Sequence, residues 1–235
     1  MSESKDSPRV HSPLRVVVLL SGRGSNFRAL LTSAKDCDQA FKIVGVISDR
    51  PSALGLETAR SAKIPTSVVE RRANELSSSA YNVLLAKETA TYKPDLVVLA
   101  GFMRVLKNEF IATFPSKVIN IHPSLLPAFK GLNAQRQALA SGAKFSGCTV
   151  HIASEEVDSG AIIAQAAVPI FPDDSEESLT ERILRQEHRL LPAVVRAVAL
   201  GEIELEPAAD HATKVIYHKQ SPLNESSFLA TLVES

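Results

Sequence analysis

Apolar residues along this chain fall into short unbroken runs, separated by segments of helical period, a pattern that predicts a parallel sheet covered on both faces. Arg15 to Leu20 (RVVVLL), Phe41 to Ser48, Thr66 to Val69, LVVLAG after Pro94-Asp95, and a run from Val118 that stops at Pro123 all have strand length. Helical spacing appears at Phe27, Leu30 and Leu31 and from about Gly55 to Ala62. It appears again from about Asn74 to Thr91, where Leu76, Ala80, Val83, Leu84 and Ala90 are expected to form one apolar stripe. A helix from about Ala134 to Ala140, a strand over Gly147 to Ile152, the acidic loop EEVDSG and a strand over Ala161 to Val168 follow. The last element is a helix from Ser175 to Leu200 capped by Ser175. The fold class that results is α/β: a single-domain, open, mostly parallel twisted sheet of about seven strands, the last pair antiparallel, with helices on both faces in a Rossmann-like arrangement. Residues 1–14 are expected to be a flexible tail, 15–202 the domain, and 203–235 an extension packing on it or trailing from it.

Composition narrows the function classes. With 235 residues, 45% hydrophobic and 22% charged, the chain can bury a sizeable core without metals or disulfides. Lys and Arg together number 26, as do Asp and Glu, so neither a nucleic-acid surface nor a membrane surface is expected. Any anion must therefore be held locally. Cys37 and Cys148 form no CxxC or zinc spacing and read as reduced thiols. The polar start MSESKDSPRVHSP has no signal-peptide core, and a cytoplasmic location is expected.

Chemistry concentrates in KVINIHPSLLP, Lys117 to Pro127. Residues two apart on a strand point the same way, so Asn120 and His122 leave the sheet together, an amide donor beside an imidazole. A strand-end histidine bonded to a neighbouring carbonyl is the bland reading. In SGRGSN, Gly22 and Gly24 allow a tight turn and Ser25 or Asn26 caps a helix, which suits either a phosphate holder or a plain strand-to-helix turn. The dinucleotide fingerprint fails, because its third glycine falls at Phe27, and this makes Asp49 after the second strand a weak ribose candidate. Phe102, Met103, Val105 and Leu106 in GFMRVL either fill a loop or wall a pocket for a flat ring, with Arg104 offering polar contacts. Asp158 before Gly160 is ordinary turn chemistry on its own, and Glu187-His188 reads as part of a solvated helix face. The loops after the first, fourth and fifth strands are expected to converge on one cleft.

SGRGSN after the first strand, AGFMRVL after the fourth, INIHPSLLP after the fifth and the D-x-G loop at Asp158 together resemble the phosphoribosylglycinamide formyltransferase branch of the folate-dependent formyltransferases. The resemblance implies a catalytic trio of Asn120, His122 and Asp158. It implies a ribonucleotide phosphate on Gly24, Ser25 and Asn26 with Glu187 touching the ribose, and a pterin against Met103, Arg104, Val105 and Leu106 near Asn120. The implied cosubstrate is 10-formyltetrahydrofolate, the acceptor glycinamide ribonucleotide, with no metal and room for a homodimer. Two departures stand out: some members carry an arginine near Ser78 that assists the folate tail, and S-G-A after Asp158 replaces G-G-P. A formyltetrahydrofolate hydrolase and a non-catalytic nucleotide-binding module are the alternatives.

Overall fold

The computed structural model describes residues 12–36, 40–71, 76–207 and 213–218. The expectations for the tail before residue 12, for Cys37, for the start of the helix near Asn74 and for the chain beyond 218 lie outside the described residues. The apolar runs form β1 (Leu14–Leu20), β2 (Phe41–Ser48), β3 (Thr66–Val68), β4 (Leu96–Leu99), β5 (Val118–His122), β6 (Phe145–Ile152) and β7 (Ile162–Pro169). They build one sheet in the order β3-β2-β1-β4-β5-β6-β7. The first five are parallel, and strand order reverses between β1 and β4, so their carboxyl ends flank a switch point where α/β folds bind ligands.

β6 runs antiparallel to β5 as well as to β7, so the reversal begins one strand earlier than the expected last pair. Helix α5 (Ala134–Ser141) lies in the connection between β5 and β6.

Helices α1 (Ser25–Asp36), α2 (Leu54–Ser61) and α6 (Glu176–Ala199) cover one face of the sheet, and α3 (Ser78–Thr91) with the short α4 (Asn108–Ile111) covers the other. On the first face Val16, Val18 and Leu20 meet Phe27 and Leu30 of α1 and Ile183, Leu190 and Val194 of α6, all fully buried. On the second, Val17, Leu19 and Val97 meet Tyr81, Leu85 and Phe110. Each such side chain withdrawn from water contributes about 1.5–3 kcal/mol. Ser175 caps α6 as expected, accepting from the Ser178 N–H at 3.2 Å while the Ser178 hydroxyl accepts from the Ser175 N–H at 3.0 Å.

The stripe expected on α3 is the wrong face. Ala80, Val83, Leu84 and Ala90 are exposed, and the buried side is Tyr81, Asn82, Leu85, Ala86 and Thr89. Apolar residues surround this helix on every side, so its orientation is set by the large Tyr81 and by Asn82, whose side chain accepts from the Lys107 N–H at 2.9 Å. β8 (Ile203–Pro207) and β9 (Thr213–Tyr217) form an antiparallel hairpin where the sequence suggested no element. Ile203 enters the core, and the Tyr217 hydroxyl donates to the Ile163 carbonyl, fastening the hairpin to β7. Among the described residues no helix is long and apolar enough to cross a membrane.

Candidate functional site

β5 delivers Asn120 and His122 to the same face of the sheet, and the register with β6 sets Asn120 opposite His151. The loop after β6 turns back over this face and carries Asp158 to all three. Asp158 Oδ2 lies 3.3 Å from His122 Nδ1, and Oδ1 lies 3.6 Å from His151 Nε2 and 3.5 Å from Asn120 Nδ2. The loop after β5 closes the other side: the Gly131 N–H donates to Asp158 Oδ2 at 2.8 Å. The turn that aims Asp158 holds it at φ 52, a left-handed conformation that aspartate tolerates better than most residues.

Hydrogen-bond partners fix what each group can do. His122 has Nε2 2.9 Å from the Phe129 carbonyl and Nδ1 facing a carboxylate, so both ring nitrogens address acceptors and the doubly protonated ring satisfies both. His151 Nδ1 faces the Ile152 carbonyl at 2.9 Å, while Nε2 lies 3.1 Å from the Asn120 amide nitrogen and 3.6 Å from Asp158 Oδ1, so it accepts from the amide when the ring is neutral and donates to the carboxylate when the ring carries a second proton. With the neutral ring taking one Asn120 N–H, the other faces Asp158 Oδ1 at 3.5 Å, a long contact that a ligand oxygen can displace. Burial works to raise the Asp158 pKa, but the hydrogen bond to His151, the Gly131 N–H and the charges of His122 and His151 outweigh it and hold the carboxyl below its ordinary value. Among the described residues no group of three or more His, Cys, Asp or Glu is disposed to hold a metal ion.

The first loop forms the second half of the site. Gly24 sits at φ 71, and a Cβ there would come within 2.9 Å of Gly55 Cα, so both the turn and the close approach of α2 require glycine. Ser25 and Asn26 open α1, whose first N–H groups have no helical partner. The Asn26 amide donates to Glu187 Oε2 at 2.6 Å. Glu187 is 7% exposed, so the solvated-face reading of this part of α6 is wrong. Burial pushes its carboxyl up to about 7, against the lowering effect of Asn26. Asn26 Oδ1 is buried with no partner, an acceptor left open beside the helix start.

The loop after β4 is tied to the first loop, since the Ser21 N–H donates to the Gly101 carbonyl at 3.0 Å and the Met103 N–H to Ser21 Oγ at 2.8 Å. Met103 and Val105 are 58% and 51% exposed, whereas Leu106 is buried in the core. Arg104 pairs with Asp49, Nε to Oδ2 at 2.7 Å. Sequence reasoning missed His151, because its partnership with Asn120 is created by the β5/β6 register. It also missed Thr149 and Gln165. The Thr149 hydroxyl donates to the Ser124 carbonyl at 2.6 Å and accepts from the Leu126 N–H at 3.1 Å, and the Gln165 amide donates to the Leu126 carbonyl at 2.9 Å, bracing the loop that follows His122.

A sequence model of the family described as formyl transferase matches residues 14–195. The chain is 41% identical over 196 residues to phosphoribosylglycinamide formyltransferase of Escherichia coli (strain K12), covering 83% of this chain and 92% of that one. It is 46% identical over 195 residues to trifunctional purine biosynthetic protein adenosine-3 of Drosophila melanogaster, but spans only 14% of that much longer relative. Glycinamide ribonucleotide transformylase 1 from Symbiobacterium toebii has a similar solved structure, with a TM-score of 0.82 at 40% identity, covering 92% of this chain and 100% of that one.

Proposed function

The chain belongs to the formyl transferase family, and we propose that it transfers the formyl group of 10-formyltetrahydrofolate to the primary amine of glycinamide ribonucleotide, a step of purine synthesis. The observation that carries this reading is the convergence of the Asn120 amide, the His122 ring and the Asp158 carboxylate on one sheet face. The amine nitrogen bonds to the formyl carbon, and the carbonyl oxygen becomes an oxyanion. Asn120 turns the N–H of its long Asp158 contact to that oxygen and protonated His122 stabilises it, both held in position beforehand. Asp158, with Oδ2 3.3 Å from His122 Nδ1, orients the ring and helps pass the proton lost by the amine toward the folate nitrogen, which takes it as the carbon–nitrogen bond to the folate breaks. No covalent bond to the protein is needed, and Cys148 is fully buried.

In this reading Gly24, Ser25 and Asn26 hold the ribonucleotide phosphate at the start of α1, Glu187 meets the ribose, and Met103, Arg104, Val105 and Leu106 with Asn120 line the pterin side. A hydrolase acting on formylfolate alone has no use for the Asn26–Glu187 half of the site. The proposal extends to a cytoplasmic setting, in keeping with the free thiol of Cys148. The test follows tetrahydrofolate formation by absorbance with and without glycinamide ribonucleotide. Product that depends on the ribonucleotide supports the transferase, equal rates without it mean a hydrolase, and no product in either case means a module without this activity.

A further inference from the structure

Thr149 stands opposite His122 in the β5/β6 register and is fully buried, yet the chemistry above does not use it. Its whole hydrogen-bonding capacity goes to the chain that follows His122. The hydroxyl donates to the Ser124 carbonyl at 2.6 Å and accepts from the Leu126 N–H at 3.1 Å and from the Gln165 amide at 3.0 Å, so its one donor and two acceptor sites are all occupied. Gln165 gives its second amide hydrogen to the Leu126 carbonyl at 2.9 Å. The buried Ser124 hydroxyl donates to the Ala128 carbonyl at 2.5 Å, and the Ala128 N–H to the Leu125 carbonyl at 3.0 Å. Gln165 on β7, Thr149 on β6 and the backbone from Ser124 to Ala128 thus form one continuous network, which ends one residue short of Phe129.

At Phe129 that network meets the chemistry. The Phe129 backbone lies in the left-handed region at φ 56, which a bulky side chain adopts only where its surroundings impose it. Its carbonyl oxygen lies 2.9 Å from His122 Nε2, whereas His122 Nδ1 lies 3.3 Å from Asp158 Oδ2. The first distance is that of an ordinary N–H···O bond and the second is longer. A carbonyl only accepts, so the neutral ring carries its proton on Nε2 and leaves Nδ1 bare. Nδ1 is the nitrogen on the side of the reacting groups, since the other oxygen of the carboxylate it faces lies 3.5 Å from the Asn120 amide nitrogen. With the Phe129 carbonyl displaced, nothing holds the proton on Nε2, and the Asp158 carboxylate draws it to Nδ1.

We propose that Gln165 is a positioning residue for the reaction: by pinning the Leu126 carbonyl and the Thr149 hydroxyl it holds the Phe129 carbonyl on His122 Nε2, and so keeps Nδ1 as the nitrogen that gains and loses a proton beside Asp158 and Asn120. The inference rests on the formyl-transfer reading of the site. Two donors on one planar amide are what the arrangement needs, because a carbonyl and a hydroxyl that already donates elsewhere must be bridged at once. A carboxylate of the same length offers neither donor. Asp158 addresses the His122 ring from one side, and the network anchored by Gln165 fixes it from the other.

The experiment labels the histidine rings of the full chain with heavy nitrogen and reads the His122 ring nitrogens by NMR at alkaline pH, where imidazole is neutral, with the signals assigned through His122→Ala. It also measures kcat and KM for 10-formyltetrahydrofolate and glycinamide ribonucleotide. In the parent, Nε2 should appear as the protonated nitrogen and Nδ1 as the bare one. Gln165→Met keeps the length of the side chain and removes both donors. It should move His122 to a mixture of the two tautomers and lower kcat about tenfold, the change in rate that one hydrogen bond governs, with both KM values unchanged. Thr149→Val, which keeps the shape and removes the hydroxyl, should do the same, and Thr149→Ser, which keeps the hydroxyl, should recover the parent's ring signals and most of its kcat. A purely structural role lowers the melting temperature and leaves the tautomer where it was. Unchanged ring signals in Gln165→Met, or a changed tautomer with kcat intact, overturns the proposal. If one of the two donor-deleting variants does not fold, the other carries the test. If the parent forms no product, the functional reading fails by itself, and the ring signals still decide whether Gln165 sets the His122 tautomer.

Discussion

The Asn26 amide donates to Glu187 Oε2 at 2.6 Å across 161 positions of sequence, joining the start of α1 to the middle of α6 inside the protein. Because burial lifts the Glu187 carboxyl from its usual 4.5 to about 7, the folded protein takes up a proton there that the unfolded chain has already released. A carboxyl raised in this way contributes its stability in full below the unfolded value and loses it as pH rises through the folded one. The denaturant midpoint should therefore drop between about pH 5 and about pH 8, by on the order of 3 kcal/mol in this group's share. Glu187→Gln keeps an acceptor for Asn26 and should flatten that slope. An identical slope in the variant would show that Glu187 does not titrate in this range.

The same pair shows what the sequence could and could not disclose. SGRGSN announces a turn feeding a helix, and the strand-helix alternation announces the parallel sheet, because both depend on residues close in the chain. Glu187 read as solvated because its burial depends on α6 lying against α1, which no local pattern records. The β5/β6 reversal and the Asn120–His151 pairing are of the same kind: each depends on which way a distant segment runs beside β5, which no local pattern records. The exposed apolar face of α3 misled for a different reason. When apolar residues surround a helix, periodicity cannot choose a face, and polar anchors such as Asn82 decide.

Asn120→Ala and His122→Ala should each lower kcat on the order of 100- to 1,000-fold, the usual cost of removing one oxyanion donor. The two KM values should move much less, since neither residue holds the phosphate loop or the pterin-side loop together. Steady-state kinetics with circular dichroism as a fold control checks this. Near-parent kcat in either variant removes that residue from the chemistry.

Gly24→Ala tests the phosphate loop more gently than a larger side chain would. Its φ of 71 alone should cost about 1–2 kcal/mol in an alanine, and the contact 2.9 Å from Gly55 Cα adds crowding against α2. The expected outcome is a lower denaturant midpoint together with a raised KM for the ribonucleotide and an unchanged Kd for a folate analogue by titration. Equal weakening of both ligands would mean that the loop serves the fold and not the phosphate.

Asp158→Asn separates charge from geometry at the centre of the site. Asparagine tolerates the left-handed backbone at φ 52 and keeps an oxygen for the Gly131 N–H, so the loop should stay closed. What disappears is the negative charge facing His122 at 3.3 Å and His151 at 3.6 Å. With no carboxylate to orient the ring and relay the proton, kcat should fall by about 100-fold or more, while both KM values change little. The stability side has its own sign. Because the Asp158 carboxyl is held below its ordinary value, its contribution is present above the unfolded pKa and is lost only as pH falls through the lower folded one. The stability gap between parent and variant should thus be constant near neutrality and close only in strong acid. Intact turnover, or a gap that closes near neutral pH, would reduce Asp158 to a turn residue and leave Asn120 and His122 as a pair.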